Sequence, residues 1–142
     1  MTTTPTSNID GDSFADWAPE LRDELASHTD NPLVGTRLLL EDAHARVWEI
    51  RLAPGERLAF HRHVLDYFWT CVSGGRAISR DGHGNVHHRA YAPSETQALT
   101  FAGGESMIHD LVNAGSDDLV FTTVEFLSSA NEPLPLAEGV RP

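Results

Sequence analysis

Residues 54 to 74 read Pro54-Gly55-Glu56-Arg57-Leu58-Ala59-Phe60-His61-Arg62-His63 and then Val64-Leu65-Asp66-Tyr67-Phe68-Trp69-Thr70-Cys71-Val72-Ser73-Gly74. Pro54-Gly55 predicts a turn, and Arg57–His63 and Tyr67–Ser73 read as two strands. Side chains two apart share a strand face, so His61 and His63 project together while Arg62 points away. On the inner face of a barrel, two such imidazoles begin a metal site. On an edge strand they are a solvated pair, and the dipeptide alone does not choose.

Outward from this stretch, short strands are predicted at Thr36–Leu40, Arg46–Leu52, Ala77–Arg80, Val86–Tyr91, Ala98–Phe101, Ile108–Val112 and Leu119–Phe126. Gly74-Gly75, Asp81-Gly82, Gly84-Asn85, Gly103-Gly104 and Asn113-Ala114-Gly115-Ser116 punctuate them. Many short strands with turn residues between them indicate an all-β sandwich or barrel. Trp48, Ile50 and Leu52 alternate with Glu49 and Arg51, so the first set is the expected inner face, with Glu49 and Glu125 outside. Asn113 is expected to fix its turn through its side-chain amide.

Before the strands, Phe14, Trp17, Leu21 and Leu25 recur at helical spacing, and Ser13 with Asp16 resembles a capping box. Pro19 suits a first helical turn, so a short turn and then a helix over about residues 18 to 28 are expected. That helix would pack on the outside of the barrel or on a second subunit. The expected organisation is a disordered tail over 1–12, a helical segment over 13–33, a barrel over 34–128 and an extended tail over 129–142.

The chain has 142 residues, 40% of them hydrophobic, which suits one domain. No run approaches the roughly 18 apolar residues of a membrane span. Twenty-one acidic residues against 10 basic ones give a net charge of -11, which disfavours nucleic acid and anionic membranes as partners. The single cysteine, Cys71, excludes an intrachain disulfide and fits a reducing compartment. The first residues lack the features of a secretory leader, so cytoplasm is expected. Eight histidines are present. His83, His87 and His88 flank a predicted turn and are read as solvated rather than as a second metal site.

Taken whole, residues 54–74 resemble the first cupin motif: Gly, five residues, His-x-His, three or four residues, Glu, six residues, Gly. Every fixed position matches except the glutamate, whose slot holds Tyr67. The second cupin motif ends in His, three residues, Asn, as do His109 to Asn113, whereas its earlier Gly, Pro and Gly fall at Ala98, Gly104 and Ser106 and are lost. The resemblance spans about Val34 to Leu127. It implies a double-stranded β-helix, the jelly-roll barrel of cupins, with a divalent metal held by His61, His63 and His109. Iron, manganese, nickel, copper and zinc all occur in the family, and iron(II) is the favoured expectation. Within small cupins the stretch looks most like the group named for a β-alanine degradation protein. Cupins commonly pair, so a homodimer is expected.

The missing glutamate leaves two accounts. In the preferred one the metal keeps three neutral imidazoles and open positions, with Tyr67 beside it as a hydrogen-bond or proton donor and Trp69, Cys71 and Trp48 lining the pocket. In the other, a bulge turns Asp66 inward as a fourth ligand. The leading functional expectation is a three-His iron dioxygenase-like metalloenzyme acting on a small anionic, dicarbonyl or thiol compound. A Lewis-acid cyclase or isomerase using zinc or nickel, and a non-catalytic ligand-binding cupin, are the alternatives.

Overall fold

The computed structural model describes residues 7–8 and 13–142. Ten strands form: β1 (Ser7–Asn8), β2 (Arg37–Glu41), β3 (Ala45–Leu52), β4 (Arg57–His63), β5 (Tyr67–Ser73), β6 (Gly75–Arg80), β7 (Val86–Tyr91), β8 (Thr96–Leu99), β9 (Met107–Asn113) and β10 (Leu119–Phe126). Two five-stranded antiparallel sheets result, ordered β1-β7-β6-β9-β4 and β2-β3-β10-β5-β8. Their facing sides pack Ile50, Leu52, Leu58, Cys71, Ala77, Leu111, Leu119 and Phe121 into one buried cluster. Each large apolar side chain fully buried there contributes roughly 1.5–3 kcal/mol. Ile50, Leu58, Leu111 and Phe121 of this cluster line the same inner cavity as His61, His63 and His109. The architecture is the all-β double-sheet barrel with a short N-terminal helix that the sequence indicated.

Two glycines of the quoted stretch do conformational work. Gly55 sits at φ +83°, where a side chain is strained, and a Cβ on Gly74 would fall onto the carbonyl oxygen of Tyr91. The second allows β5 to pass directly into β6. Asn113 fixes its turn as expected: its amide donates to the Leu52 and Asp117 carbonyls at 2.9 and 2.8 Å, and its oxygen accepts from Gly115 N–H.

Strand β4 carries an irregularity that aims the histidines. Leu58 pairs with Leu111 and His61 with His109, so β4 advances three residues while β9 advances two. This bulge at Ala59-Phe60 switches the parity of the strand. Leu58, His61 and His63 all face in, and Phe60 faces out, fully buried under Trp17 with ring centroids 5.8 Å apart. A bulge frees backbone groups from the ladder, and here each has a partner. Phe60 N–H donates to the Glu24 carboxylate at 3.1 Å, and the Phe60 carbonyl accepts from the Asn31 amide at 2.8 Å. The Ala59 carbonyl accepts from the His61 ring at 2.7 Å.

Glu24 belongs to helix α1 (Pro19–Ser27), which packs on β4 of its own barrel and has Pro19 in its first turn. No side-chain cap is made at Ala18, and Ser13–Asp16 form a separate 3-10 turn instead of a capping box. The helix buries no residue of its own; both Glu24 oxygens meet the Arg57 guanidinium. Those hydrogen bonds hold the Glu24 carboxyl down at about 2. Arg57 also bonds Asp110 at 2.8 Å, and Arg80 reaches the same carboxylate at 2.7 Å.

Several segments depart from expectation. Strand β8 starts at Thr96 and not Ala98, because pairing with β5 recruits Thr96 and Gln97 opposite Thr70 and Trp69. Ser7 and Asn8, within the expected tail, pair with His87 and Val86; residues 1–6 and 9–12 of that tail lie outside the described residues. The C-terminal stretch is docked rather than free. Leu136 and Val140 pack against Val34, Leu38 and Trp48, and the Leu134 carbonyl accepts from Arg46. Glu125 lies inside, not outside. It is cross-strand from Arg46 and Tyr67 on the inner face and 3% exposed.

Candidate metal centre

His61 and His109 are direct cross-strand partners, and His63 follows two residues along the same face. Their ring centroids lie 4.7 to 5.0 Å apart, and one nitrogen from each falls within 4.8 Å of the others. His63 Nε2 and His109 Nε2 are 3.1 Å apart. Two nitrogens each about 2.1 Å from one ion lie roughly 3 Å apart when they are neighbouring ligands, so the spacing suits a shared cation.

Protonation states agree with ligation. A carbonyl only accepts, so His61 donates Nδ1–H to Ala59 and keeps the Nε2 lone pair for the site. Burial, then the neighbouring His109, pushes the His61 pKa down to about 3. Burial lowers His109 to about 4 and holds His63 well below its ordinary value. Three neutral rings thus gather their lone pairs, and His63 Nδ1 is buried without a hydrogen-bond partner. Neutral imidazoles packed this closely are matched by a divalent cation, and the residues present fit one.

Tyr67 and Asp66, the two candidates around the motif's glutamate slot, face opposite ways. Tyr67 faces in, with its ring stacked on His63 at 4.1 Å and 12°. Asp66 turns away: its carboxylate accepts from Phe101 N–H at 2.9 Å. Among the described residues the three histidines form the one cluster with metal-ligand spacing, and no second site appears at His83, His87 and His88.

A cavity of about 610 Å³ opens from His109 toward the gap between β7 and β8, with Tyr67 and Trp69 in its wall. Trp69 stands in that wall, whereas Cys71 lies in the apolar cluster and Trp48 packs with Val34 and Leu38, and neither lines the cavity. His83 and His88 are exposed as expected, but His87 is half-buried, lines the cavity, and meets Asp81 through Nε2 at 2.9 Å. Alternation along β7 places His87, Arg89 and Tyr91 on the inner face, opposite Ser79, Ala77 and Gly75.

Glu125 is the acid that the strand alternation misplaced. The Trp48 indole N–H donates to it at 2.8 Å, and Arg46 lies nearby. Burial raises its pKa to about 7 against those two stabilising partners. The folded chain thus holds a proton that the unfolded chain releases near 4.5, so this group costs stability as pH rises from about 4.5 to about 7. Glu125→Gln keeps an acceptor for Trp48 and removes the titration. Relative to the wild type, the variant is expected to gain on the order of 3 kcal/mol between pH 4.5 and pH 8, read from paired denaturant curves. A constant difference across that range refutes it.

No protein-family model matches the chain, and no curated protein does. Solved structures do. A cupin domain from Bordetella pertussis Tohama I shares 16% identity at a TM-score of 0.55, covering 89% of this chain and 98% of its own. A conserved protein with a double-stranded β-helix domain from Klebsiella pneumoniae shares 25% identity at 0.52, covering 66% of this chain and 76% of its own. An RmlC-like cupin family protein from Methanocaldococcus jannaschii shares 19% at 0.51, covering 63% and 76%. The histidine cluster therefore lies within a double-stranded β-helix, the fold of small cupin-type domains.

Proposed function

We propose that this chain is a metalloenzyme, a three-His iron(II) dioxygenase-like cupin acting on a small anionic, dicarbonyl or thiol compound. The observation that carries it is the ligand set: three neutral imidazole nitrogens converge in the barrel, and Asp66, the carboxylate beside the slot of the motif's glutamate, is bonded elsewhere. His61, His63 and His109 would hold the ion, which supplies a Lewis acid and, as iron(II), electrons for reaction with dioxygen. Among the described residues no carboxylate joins the ligand set, which favours an enolised dicarbonyl or a thiolate over a neutral ligand. The resemblance to the β-alanine degradation group points toward small-molecule catabolism as well.

The chain's own residues then have definable tasks. Trp69, Tyr91 and Phe121 meet edge to face at 4.8 to 5.4 Å and give a water-poor wall to the smaller cavity, about 70 Å³, that all three histidines line. Tyr67 stays protonated because burial raises its pKa far above neutrality, so beside His63 it donates a hydrogen bond or a proton to a substrate oxygen. Tyr67→Phe is expected to leave metal content unchanged and lower kcat by about 100-fold, within the range of general acid catalysis. An unchanged kcat removes Tyr67 from the chemistry.

Anaerobic reconstitution with iron(II), followed by oxygen with a panel of dicarbonyls and thiols, tests the whole reading. Oxygen uptake with at least one bound compound is expected, and no uptake with any of them overturns it. Among the described residues, no helix is long and apolar enough to cross a membrane. The homodimer expected from the sequence stays part of the proposal, with light scattering as its test.

A further inference from the structure

We infer that Arg89 anchors a carboxylate on the substrate, so that the site takes a small oxo acid with its carbonyl toward the three histidines and its charged end on the guanidinium. This rests on the metal-centre reading above and narrows its substrate class.

The large cavity runs from His109 to Arg89 and Gln97. Two arginines line it, and they differ in kind. Arg62 stands on the outward face of β4 at the rim, held by the Thr29 carbonyl and the Ser106 hydroxyl. Arg89 stands on the inner face of β7 opposite Ala77, with a side chain only 10% exposed. Its guanidinium lies 4.5 Å from the centre of the Tyr91 ring and 5.2 Å from that of Trp69. Glu95, which does not line the cavity, pairs with it from behind, and Gln97 Oε1 accepts from it at 3.4 Å.

A guanidinium carries five N–H donors in a planar fork, and among the described residues Glu95, Gln97 and the Tyr91 phenol are its hydrogen-bond partners. Five donors exceed three partners, and a fork of this kind matches the two oxygens of a carboxylate. Aromatic walls on either side exclude water, which strengthens that contact. Asp81, the acid that lines this cavity, is already committed. It accepts from the backbone N–H groups of His83 and Asn85, from the Asn85 amide, and meets His87. The chain as a whole carries -11 and repels anions at long range, so an anionic group needs the close donors of a guanidinium to hold it.

Register places the two ends on one wall of the cavity: Asp81 sits opposite His109 and Ala77 opposite Arg89 on the β6 side, with Ser79 between them.

The test uses zinc-loaded protein, which has no redox chemistry of its own. It is titrated calorimetrically with 4-oxopentanoate and with the methyl ester, which removes the charge and nearly keeps the shape. The wild type is expected to bind the acid at least tenfold more tightly than the ester. Arg89→Met should lose that preference at unchanged zinc content, and Arg89→Lys should keep part of it. A preference that survives in Arg89→Met, or a wild type that shows none or binds neither probe, overturns the anchor. If Arg89→Met does not fold, Arg89→Lys carries the test: charge without the fork should cut the preference several-fold, and an unchanged one counts against the anchor. Zinc content separates the two readings, since a wild type without stoichiometric zinc fails as a metal centre whatever Arg89 does.

Discussion

Replacing His109 with alanine is expected to leave the barrel folded and to strip it of its metal. Elemental analysis should fall from about one ion per chain to less than about a tenth. Loss of a partner that only orients a ligand typically costs 10–100-fold in affinity, and loss of the ligand itself costs more. His61 and His63 remain on β4, but two imidazoles from one strand no longer enclose the ion from β9. The fold should tolerate the change. The His109 ring is half-buried and is not a member of the apolar cluster. The metal-free wild type holds three rings neutral by burial, so removing one also relieves crowding among the other two. Full metal content in a folded His109→Ala protein would refute the three-ligand site.

The next residue gives the largest stability effect. Asp110→Ala is expected to cost about 3–5 kcal/mol, the loss typical of breaking a buried ion pair from one side. Asp110 is fully buried, and its carboxylate meets Arg57, Arg80 and the Arg80 N–H at 2.7 to 3.0 Å. Without it, the partly buried Arg80 guanidinium loses its carboxylate and Arg57 keeps Glu24 alone. Against a typical domain stability of about 5–15 kcal/mol, that loss shows as a large shift of the urea midpoint. Asp110→Asn keeps an acceptor and should lose less. Glu24→Gln should lose less again, because Glu24 is 23% exposed and screened by water. A midpoint unmoved in Asp110→Ala would mean that the network carries no stability.

The period of two in a strand made the inward histidine pair legible, and the end of the second motif supplied His109. Tyr67 and Asp66 were separated correctly by the same parity. Glu125 was not, although two signals pointed to it. Phe121 and Glu125 share parity on β10, so an inward Phe121 carries Glu125 in. A buried Trp48 also requires an acceptor for its indole N–H. His87, Arg89 and Tyr91 were hidden by their closeness to a turn, which drew attention to exposure instead of alternation. Asp110 looks in sequence like a solvated strand residue, and only its two arginines from β4 and β6 show otherwise. The bulge at Ala59-Phe60 leaves no mark in composition, because long-range pairing with β9 decides it.

Consider a barrel copied from this one with Ala59 deleted. Its ladder would run without interruption, its two histidines would still point inward, and on the drawing board nothing would look amiss. Yet the spare carbonyl that now holds the His61 proton in place would be gone, and the ring could flip or settle into the wrong tautomer. The apparent defect in the strand is what keeps one imidazole pre-aimed, and a tidier strand would grip its ion about 10–100-fold less tightly.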